Sequence, residues 1–151
     1  MRLWSYQILP YLPDAQFKGQ LRELVAIMHD WRDKGANNHL LINHVMDYHK
    51  SELNTYFLLY QCLYYQRYNK SINEKYEKEF DEFADNKYMR PEEVANKGLF
   101  ANWHNKEYLR VCLANLYEKH FFGVGKSRIT DDEWNKLLDG YKAITGEDYI
   151  I

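Results

Sequence analysis

Two cysteines, three prolines and seven glycines are all that 151 residues hold of the types that staple, break or sharply turn a chain. Each shortage excludes something. Cys62 and Cys112 are too few for a disulfide framework, and both fall in amphipathic helical patterns, where a small buried thiol is the expected role. So few turn residues leave little punctuation for many short strands, which makes helices the default. Positive charge is not in excess either. Twenty Lys and Arg against 22 Asp and Glu give a formal net charge of −2, so there is no bulk attraction to nucleic acid or to an anionic membrane. Any DNA-binding face must therefore be local. No run approaches the roughly eighteen apolar residues of a membrane span, and Met1-Arg2-Leu3-Trp4 lacks the apolar stretch of a signal peptide. The expectation is a cytoplasmic protein with no membrane partner.

What is present points to a packed helical unit. The chain is 46% hydrophobic and 17% aromatic, with fourteen tyrosines, a composition that disfavours disorder. Its length suits one domain with its own core. The reading is all-α, a single domain over residues 1–151, with three principal helices at about 14–34, 51–69 and 105–120 and shorter helices added.

Asp14 follows Pro13 and can cap the first helix, and Gly35 can stop it. Phe17, Leu21, Leu24, Val25, Met28 and Trp31 recur at the three- and four-residue spacing of a buried stripe. Ser51 reads as the cap of the second helix, and Leu53, Tyr56, Phe57, Tyr60, Leu63 and Tyr64 make it the most apolar and central one. Tyr108, Leu109, Cys112, Leu113, Leu116 and Tyr117 form the stripe of the third, with Arg110, Asn115 and Lys119 outside or at its edge. Tyr76, Phe80 and Phe83 recur among acids and lysines in an amphipathic helix over 73–85. Pro91 opens a short helix that Gly98 ends. Thr130-Asp131-Asp132-Glu133 is a capping box that starts a last helix with Trp134, Leu137, Leu138 and Tyr141 inward, up to Gly146.

Other features read as structural. His39, His44 and His49 fall five apart, which does not align them on one helical face and matches no zinc pattern. Phe122-Gly123-Val124-Gly125-Lys126-Ser127 lacks the spacing of a phosphate-binding loop and reads as a turn. The tyrosines of the second helix could stack on bases, yet an aromatic helix stripe is more often core. Arg22 and Glu23 flank the stripe of the first helix, and on periodicity alone they are an ordinary solvated pair at the edge of the core.

The head of the chain carries more chemistry. An α-amine titrates near ~7.7–8.0, so at neutral pH far more of it is an unprotonated nucleophile than of a lysine side chain. The bulky Arg2 should prevent removal of Met1 and leave that residue as the terminus.

Met1-Arg2-Leu3-Trp4, Leu9-Pro10-Tyr11-Leu12-Pro13, Gln16, Gly19-Gln20 and Arg22-Glu23, in that order and spacing, resemble the N-terminal signature of the pyrimidine dimer DNA glycosylase family, of the phage endonuclease V type. A second block, His104-Asn105-Lys106-Glu107-Tyr108-Leu109, Cys112-Leu113, Asn115-Leu116 and Lys119, is similar to the C-terminal helix of its small bacterial members. The resemblance covers about residues 1–70 and 100–120. The acidic helix around 73–85 and the tail beyond Gly125 look like additions.

The resemblance implies a three-helix, all-α monomer that flips a nucleotide out of damaged double-stranded DNA, cuts the base from its sugar and nicks the backbone without cofactor or metal. By this likeness the terminal amine, here Met1, attacks the sugar's anomeric carbon to form an imine, and Glu23 stabilises the cationic sugar and moves protons. Arg2 and Arg22 match family arginines at the DNA phosphates or the lesion, and Lys119 a basic helix position of the same kind. Gln16 and Asn115 stand at DNA-contact positions where a histidine and an arginine would be expected, and Ala26 stands where the family carries a second arginine. The other reading is a family-fold protein that has lost the cleavage and serves as a nucleic-acid-binding or interaction module.

Overall fold

Asp14 does begin the first and longest helix, α1 (Asp14–Lys34), in the computed structural model, which describes residues 2–151. It is followed by α2 (Lys50–Tyr68), α3 (Glu74–Phe83), α4 (Pro91–Lys97), α5 (Lys106–Phe121) and α6 (Asp131–Thr145), with 3₁₀ turns at Leu9–Tyr11, Ile42–Asp47 and Gly125–Ser127. No strand occurs among the described residues. The all-α reading stands.

The helix boundaries lie where the cap chemistry put them, with one exception. Thr130 and Glu133 close a reciprocal capping box at α6, and the Asn105 side chain accepts the Tyr108 N–H at the start of α5. Gly35, Gly98 and Gly146 take the positive φ angles that end α1, α4 and α6, a conformation that costs glycine little because it has no Cβ. The exception is α2. Its cap is His49 rather than Ser51, because the imidazole Nδ1 accepts the Ser51 N–H at 3.1 Å and so does the work expected of a hydroxyl or carboxylate.

The described chain divides into two compact units. One holds Arg2, Leu3 and Leu21–Trp103, and the other Trp4–Gln20 and His104–Ile151. In the first, α2 packs on α3. Phe57 and Phe80 stack at 4.0 Å between ring centroids, and Leu24, Ile27, Met28, Leu53, Tyr56 and Tyr60 are buried beside them. Three polar residues in the first turns of α2 tie down the irregular chain that follows α3. Glu52 accepts the Phe100 N–H, Asn54 donates to the Lys87 carbonyl, and Thr55 accepts the Met89 N–H. These bonds satisfy backbone groups that helical ladders leave open. α2 is not buried throughout. Its fully buried residues stop at Tyr60, and Leu58, Cys62 and Tyr65 face solvent. The expectation of a buried thiol therefore holds for Cys112 and fails for Cys62, which sits on the outer side of α2.

In the second unit, α5 packs on α6 and α6 on the 3₁₀ turn at Leu9–Tyr11. Leu9, Leu12, Phe17, Leu109, Leu113, Leu116, Leu137 and Tyr141 form the core. Gly140 lets α6 approach the turn, since a Cβ built there would lie 2.4 Å from Cγ of Tyr11. Gly140→Ala should lower the urea midpoint, because overpacking of about 1–3 kcal/mol outweighs a helix-propensity gain of about 1 kcal/mol. Gly19, in α1 with open space around its Cα, should respond oppositely. Gly19→Ala should raise the midpoint by about 1 kcal/mol in stability through propensity alone. Equal shifts of one sign in the two variants would remove the close approach from the account of the fold.

Candidate active site

Glu23 lies in the middle of α1, on the border between its buried and solvent faces, and the chain start comes to it. The Arg2 backbone N–H donates to Oε2 of Glu23 at 3.0 Å, and Leu3 next to it is fully buried. The chain is thus fixed at Arg2 by a polar contact and at Leu3 by burial. Burial pushes the Glu23 carboxyl above its usual range, against the opposing pull of the Arg2 N–H and of the guanidinium charges of Arg2 and Arg22. Desolvation thus wins over the interactions that favour the charged form. A half-buried carboxyl with a raised pKa, beside two arginines, is not the solvated pair that periodicity suggested. A carboxyl in such surroundings can exchange protons nearer neutral pH than a solvated one. Arg22 itself is exposed. Met1, expected to supply the nucleophile, lies outside the described residues.

On the neighbouring helix of this unit, Tyr60, Tyr64 and Tyr68 follow one another at one helical turn, with centroids 6.2 Å and 4.8 Å apart. Tyr60 is core, its hydroxyl pushed upward by burial first and by Tyr68 and Tyr64 next, with Arg67 and the Leu21 backbone opposing. Tyr64 and Tyr68 are half-buried.

Gln16, Asn115 and Lys119 belong to the other unit. Gln16 is only 8% exposed. Its side-chain NH2 donates to the Ser127 carbonyl at 3.0 Å and so ties α1 to the turn at Gly125–Ser127, while its Oε1 is buried without a hydrogen-bond partner. Asn115 donates to the Val111 carbonyl of its own helix at 3.0 Å. Lys119 is half-exposed on the last turn of α5, and its carbonyl accepts the Ile129 N–H. Arg110 is held by the Tyr141 hydroxyl and the Ile150 carbonyl and lies over the ring of Tyr149. The His104-Asn105 pair is structural. Asn105 caps α5, while His104 is buried, accepts the Tyr6 N–H at Nδ1 and stacks on Tyr108. Burial alone pushes its imidazole down to about 3, so it stays neutral. Among the described residues no three His, Cys, Asp or Glu side chains converge in a way that could hold a metal ion.

Residues 1–75 match the profile of a protein family described as pyrimidine dimer DNA glycosylase. The match contains Arg2, Gln16, Arg22 and Glu23 and ends before α5. No curated protein and no solved structure matches the chain.

Proposed function

Residues 1–75 carry the pattern of the pyrimidine dimer DNA glycosylase family, and from that premise we propose that the protein is a DNA-repair glycosylase with AP lyase activity, acting in the cytoplasm on damaged double-stranded DNA. The observation that carries the reading is the bond from the Arg2 N–H to Glu23. The residue before Arg2 is covalently joined to the very nitrogen that Glu23 holds, so a nucleophilic amine on Met1 is tethered to the neighbourhood of this carboxyl. The amine's lone pair attacks C1′ of the flipped nucleotide. The base departs with the electrons of its glycosidic bond and is protonated, and loss of a proton and ring opening leave an imine. The imine acidifies the C2′ hydrogen. Removal of that proton expels the 3′ phosphate by β-elimination and leaves an unsaturated imine on the amine, which water hydrolyses to free the amine and a sugar-derived aldehyde. Glu23, with its pKa drawn upward toward the working pH, is suited to shuttle these protons and, when ionised, to stabilise the cationic sugar. Arg2 and Arg22 supply permanent positive charge for phosphate. Lys119, Gln16 and Asn115 belong to the DNA contact in this reading, Gln16 by fixing the 125–127 turn.

Borohydride reduction in the presence of duplex DNA bearing abasic sites tests the proposal, since it traps the imine as a stable adduct. An unreactive protein that still binds duplex would instead favour the reading of a family-fold binding module.

Arg22→Ala should weaken duplex binding and flatten its salt dependence by about one unit of slope, because each neutralised phosphate contributes close to one. An unchanged slope in a salt titration would remove Arg22 from the interface.

A further inference from the structure

α2 carries a second apolar stripe besides the one it buries. Leu53, Tyr56, Phe57 and Tyr60 face the core, whereas Leu58, Cys62 and Tyr65, spaced four and three residues apart, share an outer face and stay in solvent. Leu58 is 43% and Tyr65 55% exposed. Single exposed apolar residues are ordinary on a protein surface, but a helix that is apolar around its circumference belongs in a core. The rest of its own unit leaves this face open. Asn69, in the left-handed region at φ 52°, ends α2, Asn73 caps α3, and the Phe57–Phe80 stack seats α3 against the buried side of α2. Between the second half of α2 and the start of α3 lies a groove of about 500 Å³. Leu58, Cys62 and Tyr65 line it together with the buried Ile72.

The charge around this groove decides what can enter it. Glu74 and Glu77 stand at its edge, and among the described residues no Lys, Arg or His lines it. The cations nearby in sequence are sorted away from it. Lys75 and Lys78 of α3 line a different groove, on the side of His29, and Arg67 and Lys70 line neither. An edge of carboxylates repels phosphate, so neither nucleic acid nor an anionic membrane suits this face. A cationic occupant does. The shape narrows the choice further. Leu58, Cys62 and Tyr65 at i, i+4 and i+7 extend over about 10 Å of helix, a linear row of anchors of the kind that receives the apolar face of an amphipathic helix. We propose that this groove docks a basic amphipathic helix of a partner protein, with its apolar residues on Leu58, Cys62 and Tyr65 and its lysines or arginines against Glu74 and Glu77. The exposed ring of Tyr65 adds a face on which one of those cations can lie. Every residue of the groove belongs to the unit that holds Leu21–Trp103.

The probe is a dye-labelled helical peptide of leucine and lysine, with its leucines at three- and four-residue spacing. Fluorescence anisotropy reports its binding to the full-length wild type, to Glu74→Gln/Glu77→Gln and to Leu58→Ser/Tyr65→Ser. All four positions are exposed, so helical circular dichroism and the melting temperature should stay as they are. The wild type should bind this peptide and not one in which glutamate replaces lysine. The glutamine pair should lose about tenfold in affinity, the scale of two surface ion pairs, together with most of the salt dependence. The serine pair should lose about tenfold or more, the scale of uncovering two large apolar side chains, and keep the salt dependence. Equal binding by all three proteins, equal binding of the glutamate peptide, or no binding by the wild type at millimolar peptide would overturn the proposal. So would self-association of the wild type that the serine pair abolishes, which would make a second copy the occupant. The four residues lie outside the Arg2–Glu23 site, so borohydride trapping on abasic DNA is a separate readout. Its failure would remove the enzyme reading and leave the groove as it stands.

Discussion

Acetylating the α-amine of Met1, or adding one residue before it, is expected to abolish the borohydride-trapped adduct on abasic DNA. In the proposed reaction the nucleophile is the α-amine of Met1, the residue before the Arg2 N–H that Glu23 accepts. Its ordinary pKa of about 7.7–8.0 leaves a substantial neutral fraction at neutral pH, compared with roughly a thousandth for a lysine. Acetylation removes the lone pair, and an added residue moves the amine one residue farther along the chain from the Arg2 N–H that Glu23 accepts. Neither change touches a buried stripe, so helical circular dichroism should be unaltered. Mass spectrometry of the trapped complex after proteolysis supplies the decisive readout. An adduct that persists in the blocked protein and maps to a lysine would sink the assignment of Met1 and, with it, the role given to the Arg2–Glu23 contact.

Glu23→Gln is expected to slow base excision by about 100-fold or more, the scale of a positioned acid/base or electrostatic group, while duplex affinity is kept. Glutamine can still accept the Arg2 N–H through its side-chain oxygen, so the chain start keeps its anchor. Stability should move in the opposite direction to activity. The folded-state pKa of Glu23 is raised above its ordinary value near 4.5 by burial, so its ionisation counts against the folded state. The resulting loss of stability is absent below the unfolded pKa and develops as pH rises through the folded one. Glu23→Gln escapes it. The variant should therefore melt higher than wild type at pH 7, and the difference should shrink as pH falls toward 4. Excision in the wild type should lose its carboxylate-dependent limb at a higher pH than an ordinary glutamate would give. An active Glu23→Gln protein would refute the role, and one that melts lower than wild type at pH 7 would refute the electrostatic account of the site.

Most of the helical plan was legible because its signals are local. The periodic apolar stripes, the Thr130–Glu133 box and the stop glycines each act within a turn or two of where they stand, so spacing alone locates them. Signals that depend on a partner far along the chain were not legible. His49 serves as a cap through a ring nitrogen, which no preference for small polar residues anticipates. Cys62 lies on the outer side of α2, beyond the point where its buried residues end, although its sequence neighbours are as apolar as those of Cys112. The site divides in the same way. The sequence signature drew Arg22 and Glu23 out of what periodicity alone describes as a solvated pair. That Glu23 is desolvated and holds the Arg2 backbone depends on a contact across 21 residues. Gln16 stood out in the signature, yet what its amide touches, Ser127, lies 111 residues away.

The two thiols stand in opposite environments, one solvent-facing on α2 and one buried against the Ser5 N–H. In its native form the protein thus carries a built-in attachment point for a single reporter group. A maleimide spin label or fluorophore should couple to Cys62 and spare Cys112 without any engineered substitution. Because Cys62 shares a compact unit with Glu23, such a reporter could follow the arrival of a labelled duplex at that unit during a single turnover.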